Sequence, residues 1–220
     1  PWIIVIMAVP VVGVPFYIIF GPHSGGRRFA RQMAKYQEHY ERERSIVLPH
    51  PEPHVLEQLE TFSPELARQS RYITNISEAQ VWEHTSTEFY PLGELAFRSI
   101  LREIEQAKRF ILMESFILEE GEMWDTMLEV LVRKVQEGVV VRLMYDDFGS
   151  MPTLPGGYER KLRALGLTVV AFNHVRPHLN SRLNYRDHRK IIVIDGEVGF
   201  TGGINFADEY INRKIRFGHW

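Results

Sequence analysis

The chain has 220 residues, 45% of them hydrophobic and 12% aromatic, enough to bury one sizeable core and leave an appendage. A net charge of −2 gives no global attraction to nucleic acid or anionic lipid, so either would have to be bound by a local patch. There is no cysteine, which excludes disulfides and thiolate metal sites. The histidines are scattered, and His50 and His54 straddle Pro51 and Pro53, where no helix aligns them as ligands. No metal and no cofactor are expected.

Trp2 to Phe20 contains no charged residue. A helix of that length reaches about 30 Å at ~1.5 Å per residue, the thickness of a hydrocarbon core. We read residues 1–22 as a transmembrane helix; a buried core helix fits less well, because such helices rarely lack charge for so long. Pro10, Gly13 and Pro15 would kink it. Pro1 lies inside the apolar run with no basic stretch before it, so a span in a longer polypeptide is expected rather than a signal peptide, with a second membrane helix upstream.

Arg27, Arg28, Arg31 and Lys35 follow closely and place this side in the cytoplasm. Residues 27–44 read either as a solvated helix at the headgroups or as a polar linker. Residues 23–78 as a whole form a charged juxtamembrane segment and connector, broken at His50-Pro51-Glu52-Pro53 and carrying a short helix or two.

The globular part is expected over 79–220. Leu92, Leu95, Ala96, Ile100, Ile104 and Ala107 recur at helical spacing. Phe110 to Leu118 reads as a buried strand containing Glu114, a satisfied buried acid or a neighbour of the site. Trp124, Met127, Leu128, Leu131 and Val135 form a second helical stripe stopped by Gly138. Val139 to Tyr145 is a second strand, ending in Asp146 and Asp147, which serve either a turn or a ligand. A basic helix from Tyr158 to Leu165 and a strand from Leu167 to Phe172 complete the series. Alternating strands and helices at this spacing predict an α/β fold with a mostly parallel sheet covered by helices, its ligands lying off the carboxyl ends of the strands. Arg176 to Arg189 is locally basic and reads either as a phosphate-attracting loop or as a generic one.

The chemistry concentrates in NYRDHRKIIVIDGEVGFTGGIN, residues 184–205. The run to Ile194, the turn at Gly196 and Val198 to Thr201 predict a hairpin. In an extended chain His188 and Lys190 project to one side, about 7 Å apart at ~3.3 Å per residue. Imidazole can attack phosphorus or carry a proton, and ammonium can neutralise non-bridging oxygens. Two polar residues at the mouth of a buried strand is the alternative. H-x-K-x4-D alone arises by chance in on the order of one such chain in a hundred, and the added G-G-x-N makes it much rarer. Gly202-Gly203 allows close backbone approach and Asn205 offers an amide, whereas Asp195 falls on the face opposite His188 and suits turn fixing.

This pattern resembles the HKD motif of the phospholipase D superfamily, H-x-K-x4-D-x6-G-S-x-N, with Gly203 where many members have Ser. NYRDHRK and GGINFADEYINR are similar to the first HKD copy of bacterial cardiolipin synthases, and PVVGVPFYIIFG and YDDFGSMPTLPGGYERKLRALG extend the likeness over nearly the whole chain. The resemblance implies a phospholipase D-type mixed sheet flanked by helices behind an N-terminal membrane helix. It implies catalytic roles for His188, Lys190 and Asp195, and phosphate binding by Lys190, Gly203 and Asn205; Glu114 and Asp147, from their places on and after the strands, are further candidates as supporting acids. The implied reaction makes cardiolipin and glycerol from two phosphatidylglycerol molecules through a phosphohistidine, at the inner face of the cell membrane and without nucleic acid. A hydrolase, a phosphatidylserine synthase, a nuclease of the same fold and a non-catalytic membrane scaffold are the alternatives. Because H-x-K-x4-D occurs once in these residues, a second HKD copy is expected from a missing C-terminal half or from a dimer partner.

Overall fold

The computed structural model describes residues 2–20, 34–40, 42, 53–77, 81–175, 186–216 and 218–220. The chain divides into two compact units, residues 1–22 together with 90–220, and residues 23–89. In the smaller unit, α3 (Pro53–Phe62) and α4 (Pro64–Ser77) pack as a helical hairpin tied by the Arg71–Glu60 ion pair. Residues 34–40 are helical, while 27–33 and 43–52 of the charged segment lie outside the described residues.

The apolar N-terminus differs from the single helix expected. It forms α1 (Trp2–Ala8) and α2 (Pro10–Phe20), packed on each other, and no helix among the described residues is long and apolar enough to cross a membrane. The break has a local cause: Pro10 has no N–H to continue α1 and suits the first turn of a new helix. Gly13 then permits close packing, since a Cβ there would lie 2.8 Å from Ile6 Cα. Ile3, Ile4, Met7, Val11, Phe16 and Ile18 stay exposed.

In the larger unit the helical periodicities become α5 (Gly93–Gln106), α6 (Glu122–Gln136) and α8 (Tyr158–Ala164), with the four-residue α7 (Asp147–Ser150) between the last two. The strands are β1 (Phe110–Ser115), β2 (Val140–Asp146), β3 (Thr168–Phe172), β4 (Ile191–Ile194) and β5 (Val198–Thr201), in the order β3-β2-β1-β4-β5. β1, β2 and β3 are mutually parallel, and β4 and β5 are antiparallel additions joined by the expected hairpin. Its turn places Asp195 at φ 55° and Gly196 at φ 77°. Both values fit the primed turns that match strand twist.

Ile111, Met113, Val141, Leu143, Val169, Ile192 and Ile194 alternate onto one face and pack with α5, α6 and α8. Trp124, buried in α6, stacks on Phe206 and donates its indole N–H to Tyr158 Oη at 2.7 Å. Within the larger unit, the described helices α5, α6 and α8 pack on one face of the sheet. Leu112, Val140 and Val170 on the other face are 37–51% exposed and line an open hollow of about 590 Å³ together with Glu114 and Arg142. The apolar runs of β1 and β2 read equally well as one-sided or two-sided burial, which is why the sequence misleads here.

Candidate active site

The parallel strands β1, β2 and β3 end on one edge of the sheet, and β4, antiparallel to β1, begins there. His188 and Lys190 lead into β4 and therefore stand over the carboxyl ends of the strands, where open α/β sheets bind ligands. Lys190 continues the inward alternation of Ile192 and Ile194 and is 7% exposed. His188, two residues earlier on the same side, is exposed at the mouth.

Among the described residues, the Lys190 ammonium donates one hydrogen bond, to the His188 carbonyl, and forms no ion pair. Its remaining protons find no acceptor among the described residues, and burial pushes its pKa down, opposed by the nearby charge of Asp187. Beneath it, the Phe116 ring centroid lies 5.3 Å from Lys190 Nζ and 4.8 Å from the His188 ring.

The outward residues of the same stretch form a separate network. Arg189 donates to Asp187 at 3.0 Å and, across the sheet, to Glu114 Oε1 at 2.6 Å. Burial raises the Glu114 pKa to about 7, reinforced by its hydrogen bond to Asp187 and that residue's charge, with Arg189 opposing. Burial also acts on Asp187, but hydrogen bonds from Arg189 and Glu114 outweigh it and bring Asp187 to about 2. The pair therefore keeps its proton on Glu114.

Asp146, fully buried, accepts from the N–H groups of Gly149 and Asp187 at 3.0 Å each and from Arg186 Nη1 at 3.2 Å. One carboxylate thus fixes the chain just before His188 to the turn after β2. Asp147 turns away, accepting from Val175 N at 2.8 Å and contacting His174 Nδ1 at 3.1 Å. Of the basic segment, residues 176–185 lie outside the described residues, and Arg186 and Arg189 are paired with acids.

Asn205 is buried, with Oδ1 accepting from Ile117 N at 3.0 Å and Nδ2 donating to Tyr210 Oη at 2.7 Å. Its amide joins the exit of β1 to the 3-10 turn Asp208–Ile211 rather than standing free for a ligand. Gly203 is exposed, and a Cβ there would find only Trp220, at 3.8 Å. The structure does not bring Asp195 to His188, from which it lies about 23 Å along the strand at ~3.3 Å per residue. Its carboxylate accepts from the N–H groups of Lys108, Arg109 and Phe110, each at 2.8 Å, and so ties the β4–β5 turn to the entry of β1. No group of three or more His, Asp or Glu among the described residues is arranged to hold a metal ion. Sequence reasoning missed Phe116 and the bridging part of Asp187, and left Asp146 between a turn and a ligand contact. Only the acids next to the motif gave any signal.

An exposed imidazole beside a buried ammonium is chemically able to receive an anion and to attack it. Among known proteins, an uncharacterized protein of Streptococcus mutans is 34% identical over all of this chain and 46% of its own length. The cardiolipin synthase of Geobacillus kaustophilus is 36% identical over all of this chain and 43% of its own length. The chain therefore spans under half the length of these relatives. Among solved structures, the phospholipase D family member Nuc from Salmonella typhimurium superposes with TM-score 0.39 and 20% identity, covering 53% of this chain and 68% of that one. Residues 100–215, more than half of the chain and the whole of the site described, match the family described as cardiolipin synthase, PLD-like domain, and the chain belongs to that family.

Proposed function

We propose that this chain is part of a membrane-bound phosphatidyltransferase that makes cardiolipin and glycerol from two phosphatidylglycerol molecules. The observation that carries the reading is the His188–Lys190 pair, an accessible nucleophile next to a buried cation with protons to spare. The name of the Geobacillus relative supplies the substrate class.

His188 attacks phosphorus, forming a P–N bond as the P–O bond to glycerol breaks, and glycerol takes a proton from a second histidine. The free hydroxyl of the second phosphatidylglycerol then returns that proton to the second histidine and attacks phosphorus, and His188 leaves. A covalent intermediate suits this exchange, because the first alcohol vacates the place that the second occupies. Lys190 and the backbone at Gly203 hold the phosphate oxygens, and Asn205 shapes that wall. Glu114 and Asp147 act at a distance, through Arg189 and the turn after β2 respectively. The second HKD copy comes from the remainder of a longer polypeptide or from a partner copy.

In this reading residues 1–22 lie in the bilayer, supported by the exposed Ile and Val side chains of α1 and α2. Residues 23–78 connect to a catalytic domain from 79 onward, on the cytoplasmic side. The test is brief exposure of the full-length protein to phosphatidylglycerol labelled in its acyl chains, followed by denaturation. Acid-labile, base-stable label that disappears in His188→Ala is expected. Undiminished label in that variant would assign the nucleophile to the other copy, and free phosphatidate or phosphatidylserine as product would assign water or serine as the acceptor.

A further inference from the structure

Phe116 is the first residue after β1 and is half-buried. Its ring meets the His188 imidazole at a centroid distance of 4.8 Å and an interplanar angle of 54°, and its centroid lies 5.3 Å from Lys190 Nζ. The two functional groups thus share one aromatic neighbour.

That ring is held from behind. A Cβ on Gly149 would lie 2.3 Å from Phe116 O and 2.8 Å from Phe116 Cε2, so the backbone of the turn after β2 presses directly on it. Ser150 Oγ contacts Phe116 O at 3.3 Å and accepts from Leu118 N at 3.0 Å, and Thr153 Oγ1 donates to Leu118 O at 2.6 Å. Asp146 ties the same turn to the chain that carries His188.

We propose that Phe116 is a positioning residue for the phosphate site, a π platform that sets the plane of His188 and seats the Lys190 ammonium. The inference rests on the phosphate-transfer reading above. Its physical basis is the choice of partner for a buried cation. A carboxylate in contact with Lys190 would cancel the charge that a phosphate is to meet, whereas a ring face stabilises the ammonium and leaves its net charge intact. Such a face also restricts the imidazole to one tilt, which keeps the attacking nitrogen aligned.

The test uses the full-length protein in mixed micelles, with inorganic phosphate as a competitive probe and phosphatidyl transfer as the reaction. Phe116→Leu and Phe116→Met remove the ring face, the second with little change of bulk. Each should weaken phosphate binding by roughly 10-fold, the scale of a desolvated cation–π contact. Each should lower kcat by more than it raises KM, because the rest of the lipid still binds. Phe116→Tyr keeps the face and should restore both quantities, and thermal unfolding of all three variants checks that the fold is retained. If Leu and Met variants bind phosphate and turn over like the parent while Lys190→Ala loses phosphate, the platform is refuted and the phosphate site stands. If Lys190→Ala binds phosphate as tightly as the parent, the phosphate site and the platform both fall.

Discussion

Replacing Asp195 separates the structural reading of this motif aspartate from a catalytic one. Its carboxylate accepts three backbone N–H groups at 2.8 Å, from Lys108, Arg109 and Phe110, and so pins the entry of β1 to the β4–β5 turn. Asp195→Asn keeps an acceptor at Oδ1 and tolerates the positive φ of 55°, but loses the charge and one of the bonds. Hydrogen bonds to charged groups contribute about 1.5 to 3 kcal/mol each, and the exposed N–H groups here rehydrate, so the expected loss is about 1 to 2 kcal/mol. Asp195→Ala removes all three bonds and leaves a left-handed alanine, for a loss of about 3 to 4 kcal/mol. For a chain of this size that is a fall in Tm of about 2 to 8 °C for the first and about 6 to 16 °C for the second.

The pH dependence checks the cause. The three N–H groups, Phe110 first, depress the Asp195 pKa, with burial opposing. A carboxylate depressed in the folded state contributes stability above its unfolded pKa, about 3.9, and loses it as pH falls through the folded value. The difference between parent and Asp195→Asn should therefore be full at neutral pH and shrink below about 3.9. Thermal and urea unfolding, with acyl-label trapping alongside, read both quantities. Unchanged stability with loss of the His188 label would overturn the reasoning and return Asp195 to the chemistry.

Glu114 titrates in the opposite sense. Its pKa is raised from 4.5 to about 7, so the folded state gives up its proton late and stability falls as pH rises through that window. Glu114→Gln should gain about 1 to 3 kcal/mol on the parent between those limits, and parallel stability curves would count against a proton held there. Gly149→Ala should cost about 1 to 3 kcal/mol, because the clash is with the Phe116 backbone and not with a flexible tip; a neutral result in urea unfolding would disprove the close packing. Gly203→Ser should alter stability by no more than about 0.5 kcal/mol, since only Trp220 at 3.8 Å faces the new atoms, and a larger loss would show the loop to be tighter than described.

Much of this arrangement was legible in the residues themselves. Helical stripes such as Ile100–Ile104 and Trp124–Leu131, and the hairpin around Gly196, follow from local spacing, because side-chain period and turn chemistry are properties of a short stretch of chain. The same parity that put His188 and Lys190 on one side also separated Asp195 from them, since alternation along a strand needs no tertiary knowledge. Residues far apart in sequence were decided only by the fold. The antiparallel register of β1 and β4 sets Glu114 opposite Ile191, which brings Arg189 to it and Phe116 beneath His188. Asn205 looked like a free ligand for phosphate because its spacing was visible, while its partners Ile117 and Tyr210 were not. The break at Pro10 was written in the sequence as a kink, but whether the two halves continue in line or fold against each other depends on a contact between Ile6 and Gly13. Which face of the sheet α5, α6 and α8 cover was likewise beyond the sequence, because an apolar run records what a strand can bury and only the packed chain settles where those helices lie.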